Sequence, residues 1–324
     1  MTVNIPGVHP LFGNEIGIRV RGIDTLELLS PESQVDIWSP AKINPVLQIL
    51  RKRPDGFHDL FLHLVPISLY DRLSFTPQTS GGVRFQSTGR PVIVEPEYNL
   101  AVRAVRAFEQ ATQQTVHLKL HLEKHIPDGA GLGGGSSDAA AVLRVLNHLH
   151  GNRLSASMLH MLAVGLGADV PFFLDPQPCE ATGRGEALCP LPDYPCLPLV
   201  VLKPPFSSST AEAYDNCQPL EESPPHPPDS PQALEAMLCN RFELTLRNRF
   251  PELEVLKSKL RSVGAIGASV SGSGSAVFGI FEDVDTRDDA ATQLHQTVDA
   301  EVFSCRMLTG PDAQHLFDSG PSGE

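Results

Sequence analysis

No apolar run in this 324-residue chain approaches the roughly 20 residues that a membrane-spanning helix needs, so no membrane partner is expected. Basic residues are scarce: 25 Lys and Arg stand against 38 Asp and Glu, a net charge of −13, which argues against a nucleic-acid partner held by phosphate neutralisation. The cysteines Cys179, Cys189, Cys196, Cys217, Cys239 and Cys305 include no C-x-x-C pair. Neither a zinc site nor a disulfide framework is therefore indicated, and reduced thiols are expected. Met1 to Gly13 lacks a basic segment followed by an apolar one, and the first 37 residues are not the Arg-rich, acid-poor kind of transit peptide, so the expected location is cytoplasmic. What remains is a 41% hydrophobic composition, ordinary for a soluble globular protein and long enough for two domains.

The most informative stretch is Ile126-Pro127-Asp128-Gly129-Ala130-Gly131-Leu132-Gly133-Gly134-Gly135-Ser136-Ser137-Asp138. Upstream, Val116, Leu118, Leu120 and Leu122 alternate with His117, Lys119 and His121, the period-two pattern of a half-buried strand. Downstream, Ala140, Val142, Leu143, Leu146 and Leu149 recur at helical spacing. A glycine-rich loop thus delivers backbone N–H groups to a helix N-terminus, where unsatisfied donors and the dipole favour an anion, phosphate above all. The loop lacks the Lys-Ser/Thr of a Walker A motif, and Gly129 to Gly134 matches the dinucleotide G-x-G-x-x-G only as a six-residue coincidence, without a ribose-binding acid at the expected distance. A flexible turn with glycines at positive φ is the alternative.

Three further segments carry polar residues where a plain core would not. In Pro40-Ala41-Lys42-Ile43-Asn44-Pro45-Val46-Leu47, alternation puts Lys42 and Asn44 on one face of a strand; a solvated edge strand is the bland reading. Arg53-Pro54-Asp55-Gly56-Phe57-His58 holds a turn signal that presents an aromatic and a histidine at a loop tip, or merely a hairpin connection. In Gly167-Ala168-Asp169-Val170-Pro171-Phe172-Phe173 a lone acid precedes an apolar run, where a carboxylate is either a cap or functional. A lysine near that acid would keep it ionised and stabilise charge on a transferring phosphoryl group.

A first body is expected from residue 38 to about 180, with strands at Ala41 to Leu50, Leu69 to Phe75 and Val116 to Leu122. Its helices are expected at Ala101 to Thr112, Asp138 to Leu149 and Leu154 to Val164. A second body covers residues 181–315, its run of elements beginning around Leu197 to Lys203, with helices at Gln232 to Arg249 and Pro251 to Val263, then strand, helix, strand at Ala276 to Phe281, Thr286 to His295 and Val302 to Met307. Residues 1–37 form an extension with a possible strand pair at Ile16 to Val20 and Thr25 to Leu29, and residues 316–324 a tail. Glu221 to Pro231 is too proline-rich for regular structure and is expected to be an exposed loop.

The four polar motifs together, in this order, resemble the GHMP kinase superfamily over roughly residues 38 to 310. The glycine loop alone marks the superfamily. The Pro-Ala-Lys-Ile-Asn and Pro-Asp-Gly-aromatic-His segments narrow the likeness to its branch acting on a cytidine diphosphate ester of methylerythritol in non-mevalonate isoprenoid synthesis.

The resemblance implies an α+β fold of two lobes, a ribosomal S5 domain 2-like N-terminal lobe that binds ATP and a ferredoxin-like C-terminal substrate lobe. It also implies transfer of the γ-phosphoryl of ATP to the 2-hydroxyl of a small-molecule substrate by a monomer or homodimer, with Mg2+ as MgATP. By resemblance Asp169 is the catalytic base and Lys42 its charge partner. Pro127, Asp128, Gly129, Ala130, Gly131, Leu132, Gly133, Gly134, Gly135, Ser136 and Ser137 wrap the ATP phosphates. Phe57 and Tyr214 sandwich the cytosine, His58 hydrogen-bonds it, and Asn44 and Thr210 hold the rest of the acceptor. Ser269 to Ala276 resembles the third glycine motif of the superfamily, or is a tight turn before a buried strand. Phe57 stands where the family has tyrosine, and Pro45 where it has a larger apolar residue, so the strand is expected to lie at an edge or to bulge there.

Overall fold

The computed structural model describes residues 34–319 apart from 93, 94, 209, 216, 218 and 220–224. The possible strand pair at Ile16 to Val20 and Thr25 to Leu29 lies outside the described residues, as does most of the proline-rich segment's first half. The strands are β1 (Val35–Ile43), β2 (Val46–Lys52), β3 (His58–Pro77), β4 (Val83–Gly89), β5 (Leu118–Lys124), β6 (Cys179–Gly183), β7 (Ala187–Pro190), β8 (Pro198–Lys203), β9 (Cys239–Asn240), β10 (Gly267–Val270), β11 (Val277–Ile280) and β12 (Glu301–Arg306). The helices are α1 (Leu100–Thr112), α2 (Gly134–Leu149), α3 (Ala156–Leu166), α4 (Thr210–Asp215), α5 (Pro231–Met237), α6 (Glu243–Arg249), α7 (Glu252–Ser262), α8 (Val284–Thr297) and α9 (Gly310–Ser319).

The 20-residue strand β3 is the spine of the first sheet. Its first half pairs antiparallel with β2 and β6, its second half with β1 and β5, while β4 lies parallel to β5 and β7 extends β6. The sheet therefore runs on past residue 180, through β7. β1 and β2 follow the same side of β3 one after the other, and the break between them falls at Asn44 and Pro45. The expected single strand from Ala41 to Leu50 is thus two strands. Proline, which cannot donate to a ladder, occupies the interruption, and a second irregularity lies at Pro40/Ala41.

The second sheet has the order β10-β11-β8-β12, all antiparallel. With α7 between β8 and β10 and α8 between β11 and β12, this is the βαββαβ arrangement of a ferredoxin-like lobe. Alternation along β8 explains the layering. Val200 and Leu202 share one core with Leu256, Leu260 and Leu294 of α7 and α8, while Leu199 and Val201 share another with Ala41, Ile43 and Val65 of the first sheet. On the far side of the first sheet, α1 lays Ala101, Val102, Ala104, Val105 and Phe108 inward at helical spacing beside α2 and α3. Asn99 caps α1 through a 2.9 Å bond from the Ala101 N–H, and Ser155 caps α3.

Two helix boundaries depart from expectation. The continuous helix expected from Gln232 to Arg249 is interrupted, because Cys239 and Asn240 are drawn out as β9, parallel to β2 and bonded through Cys239 N to Pro45 O at 3.1 Å. Helix α2 starts at Gly134, four residues before Asp138, so Gly134, Gly135, Ser136 and Ser137 belong to its first turn. Among the described residues no helix is long and apolar enough to cross a membrane.

Candidate active site

The first sheet, helix α2 and the second lobe converge on a cleft of about 530 Å3. Pro127 to Ser136 form one wall without a gap. Gly133 stands at φ 73° before the first turn of α2, and no side chain caps that helix end, so the donors of its first turn open on the cleft. A Cβ at Gly133 would come within 2.9 Å of the Phe173 ring and 3.1 Å of Lys42 Cγ, which is why the loop can press against both. Gly131, at φ 74°, approaches the second lobe more closely still: its carbonyl accepts from Ser271 Oγ at 2.9 Å, beside a bond from Ala276 N to Ala130 O. Ser137, grouped with the loop by its sequence, is instead buried in α2, with an Oγ that finds no partner among the described residues.

Opposite this loop, the end of β1 presents Lys42, fixed at its backbone by a 2.9 Å bond from its N–H to Leu132 O. The buried Lys42 ammonium donates to Asn44 Oδ1 at 2.5 Å and lies 3.6 Å from Asp169 Oδ2. The Asp169 side chain is 35% exposed and reaches the cleft from the segment between α3 and Phe172. Asn44 donates in turn to His63 O at 3.4 Å. The face shared by Lys42 and Asn44 is therefore buried and lines the cleft, so the solvated-edge reading does not hold for it. Gly272 and Ser273, from the turn after β10, close the same corner, and Asn240 Nδ2 holds that turn by donating to Val270 O and Gly272 O at 2.7 Å each.

The other end of the cleft is apolar and aromatic: Leu47, Leu60, Leu62, Phe242 and Tyr214 line it. Tyr214 stacks on His58 with ring centroids 5.4 Å apart and meets Phe242 edge-on at 4.8 Å. Burial, and Asp169 nearby, raise the Tyr214 pKa, while burial and Lys52 lower that of His58, leaving a neutral phenol beside a neutral imidazole. Phe57 differs from expectation. It is 47% exposed, does not line the cleft, and carries the Arg184 guanidinium over its ring at 3.5 Å. The turn between β2 and β3 turns its side chain toward the β6–β7 turn rather than inward. Arg184, which sequence reading did not single out, is the residue that faces the cleft there. Thr210 begins α4, and its side chain lies outside the described residues.

Behind the glycine loop sits a buried charge cluster with no counterpart in the motif reading. Lys124, at the end of β5, donates to Asp71 at 2.5 Å and to Asp138 at 3.1 Å, and Asp138 also accepts from Ser39 Oγ at 2.8 Å. Asp71 accepts from the His125 and Ile126 N–H groups at 2.6 and 2.8 Å, pinning the chain where it enters the loop. Burial alone would lower the Lys124 pKa, but the Asp138 and Asp71 carboxylates more than offset this and raise it. Burial pushes the Asp138 carboxyl up to about 7 against the opposing pull of Lys124. Among the described residues, no group of three or more His, Cys, Asp or Glu side chains is arranged to hold a metal ion.

Residues 99–175 match the family model of the GHMP kinases N terminal domain, and residues 229–300 that of the GHMP kinases C terminal domain. A Geobacter sp. (strain M21) protein named 4-diphosphocytidyl-2-C-methyl-D-erythritol kinase is 37% identical over 268 residues, covering 82% of this chain and 95% of that protein. A protein of the same name from Syntrophotalea carbinolica is 39% identical, covering 79% of this chain and 92% of its own length. Among solved structures, a crystal structure of 4-(cytidine 5'-diphospho)-2C-methyl-D-erythritol kinase superposes with a TM-score of 0.72 at 38% identity, covering 84% of this chain and 99% of that one. Homoserine kinase from Cytophaga hutchinsonii shares the fold at a TM-score of 0.66 and 16% identity, covering 87% of this chain and 97% of that one.

Proposed function

Since the chain belongs to the GHMP kinases, in the family of the 4-diphosphocytidyl-2-C-methyl-D-erythritol kinases, we propose that its cleft catalyses that reaction. The γ-phosphoryl of ATP passes to the 2-hydroxyl of 4-diphosphocytidyl-2-C-methyl-D-erythritol, giving ADP and the 2-phosphate. The observation that carries this reading is the Lys42–Asp169 pair, 3.6 Å apart, set between an uncapped helix N-terminus and an aromatic acceptor end.

Phosphoryl transfer asks a protein mainly for positioning and charge stabilisation. The N–H groups of the glycine loop and the first turn of α2 receive the phosphates of ATP. Asp169 takes the proton of the acceptor hydroxyl, and Lys42, 3.6 Å from it, neutralises charge on the transferring group. Asn44 fixes the ammonium from the other side, so Lys42 is already oriented before substrate arrives. Tyr214, backed by His58 and Phe242, offers the base an aromatic wall. Asn44 contacts the rest of the acceptor. Asp128 and Asp169 are the cleft carboxylates that would hold a magnesium ion brought with ATP, and the ion would supply neutralisation of charge on the phosphates. The location consistent with this chemistry is the cytoplasm, where ATP is supplied.

The deciding experiment is a coupled ADP-release assay with the cytidylyl acceptor, mevalonate and homoserine offered separately. Turnover confined to the cytidylyl acceptor is expected. Turnover of mevalonate or homoserine in its place would reassign the chain within the superfamily.

A further inference from the structure

The acceptor proposed above carries a diphosphate, and the residues assigned to it so far supply no positive charge for that group. Two cations line the cleft among the described residues, Lys42 and Arg184. Lys42 is engaged by Asn44 and Asp169, at the site of transfer. Arg184 is exposed, and among the described residues its guanidinium makes no ion pair; the nearby Asp55 is taken by Arg53 at 3.0 Å.

The turn that carries Arg184 is built to hold it. It joins β6 to β7 between Gly183 at φ 70° and Gly185 at φ 107°, is closed by a 3.1 Å bond from Gly185 N to Thr182 O, and has the Arg184 N–H bound to Glu186 at 2.6 Å. The guanidinium carbon lies over the Phe57 ring, 3.5 Å from its centroid, a contact that restrains a long side chain on a residue that is otherwise exposed. The turn is also at the acceptor end: Gly183 pairs with Leu60, and a Cβ at Gly185 would lie 3.4 Å from Leu62, both of them cleft residues two and four positions along β3 from His58. The ATP phosphates belong to the opposite wall, formed by the glycine loop.

We infer that Arg184, laid on Phe57, grips the diphosphate of the cytidylyl acceptor and so sets specificity for a nucleoside diphosphate ester over a neutral or singly charged alcohol. This rests on the acceptor reading above. Phe57 then acts as the platform for the guanidinium rather than as a face for the base. A planar fork of donors suits a pair of phosphate oxygens better than a point-charge ammonium does.

The test is calorimetric titration of wild-type protein, Arg184→Leu and Arg184→Lys with cytidine, with CDP and with a non-hydrolysable ATP analogue. Arg184→Leu should weaken CDP binding about tenfold to a hundredfold, the range for losing a charge-assisted contact. Binding of cytidine and of the ATP analogue should stay within about twofold, and Arg184→Lys should recover part of the loss. In turnover the same variant should raise KM for the acceptor with little change in kcat. Equal weakening of cytidine and CDP would assign the guanidinium to the base, and no weakening of either would remove it from the site; either result overturns the inference while leaving the acceptor reading intact. Wild-type protein that binds neither cytidine nor CDP would defeat the acceptor reading, and this inference with it.

Discussion

Replacing Gly131 with alanine tests whether the two lobes must meet this closely for phosphoryl transfer. The added Cβ would stand 2.0 Å from Ser271 O, 2.9 Å from Ser271 C and 3.2 Å from Gly274 N, all backbone atoms of the turn after β10. Backbone has no rotamer to retreat into, so loop and turn must part by on the order of 1 Å to regain ordinary contact. Holding a side chain at φ 74° costs about 1–2 kcal/mol in addition. A displacement of that size beside the reacting atoms is worth about 10²-fold in rate. Gly129→Ala is the matched control: it pays the same backbone cost at φ 62°, but its Cβ meets only the side chain of exposed Ser207, whose Oγ at 3.1 Å can rotate away and whose Cβ at 3.0 Å needs a shift of a few tenths of an ångström. Urea melts should show a larger loss of stability for Gly131→Ala, which adds the backbone clash to the shared φ cost, and steady-state kinetics a kcat about 100-fold lower for Gly131→Ala against a loss below about tenfold for Gly129→Ala. Equal losses of kcat in the two variants would refute the argument, because backbone strain alone would then account for the rate.

Asp169→Asn should lower kcat by about 10²–10⁴-fold with near-normal affinity for a non-hydrolysable ATP analogue, and retention of a tenth of the wild-type rate would take the base role from it. Lys42→Met should depress kcat far more than it raises either KM; weaker substrate binding as its sole defect would make Lys42 a docking residue. Tyr214→Ala should weaken CDP binding by about 1–3 kcal/mol while Tyr214→Phe stays near neutral, and calorimetry showing equal loss of the ATP analogue would mark Tyr214 as a packing residue. The Asp138 carboxyl, raised to about 7 in the fold, binds more protons there than in the unfolded chain between about pH 4 and 7. Its contribution to stability is therefore fully present below pH 4 and lost as pH rises through 7. The gap between wild type and Asp138→Asn in urea midpoint should accordingly shift against wild type from pH 5 to pH 7.5, and a constant gap would rule this out.

Lys42 and Asp169 were legible because each breaks a local pattern, one as a lysine on an apolar strand, the other as an acid before Val170, Pro171, Phe172 and Phe173. The start of α2 was not legible. Glycine and serine disfavour a helix interior, yet Gly134 opens α2, where a Cβ would come within 2.8 Å of Lys124 Nζ and 2.9 Å of Ile126 Cγ2, a close approach that no periodicity announces. The Asp71–Lys124–Asp138 cluster joins residues 53 and 14 positions apart, a distance across which no periodicity carries information. β9, two residues long, is too short to show a period, and its place beside β2 depends on a partner nearly 200 positions earlier in the chain. Arg184 looks like a surface turn residue in the sequence, and only the folded position of Phe57 gives it a direction.

The stitching between the lobes bears on how substrates enter and products leave. Backbone bonds cross the seam at separate places: Cys239 N to Pro45 O and Arg241 N to Leu47 O along β9, Leu308 N to Pro66 O beside the Ile67–Met307 bridge, and Ala276 N to Ala130 O at the loop itself. A hinge that swung the lobes apart as rigid bodies would have to break these together and expose the apolar core that Leu199 and Val201 share with Ala41 and Ile43. Traffic through the cleft is therefore the work of short segments at its rim. On the proposed function, the turns bearing Arg184 and Phe57 flank the acceptor's way in, and ADP release is expected to depend on the glycine loop rather than on domain opening.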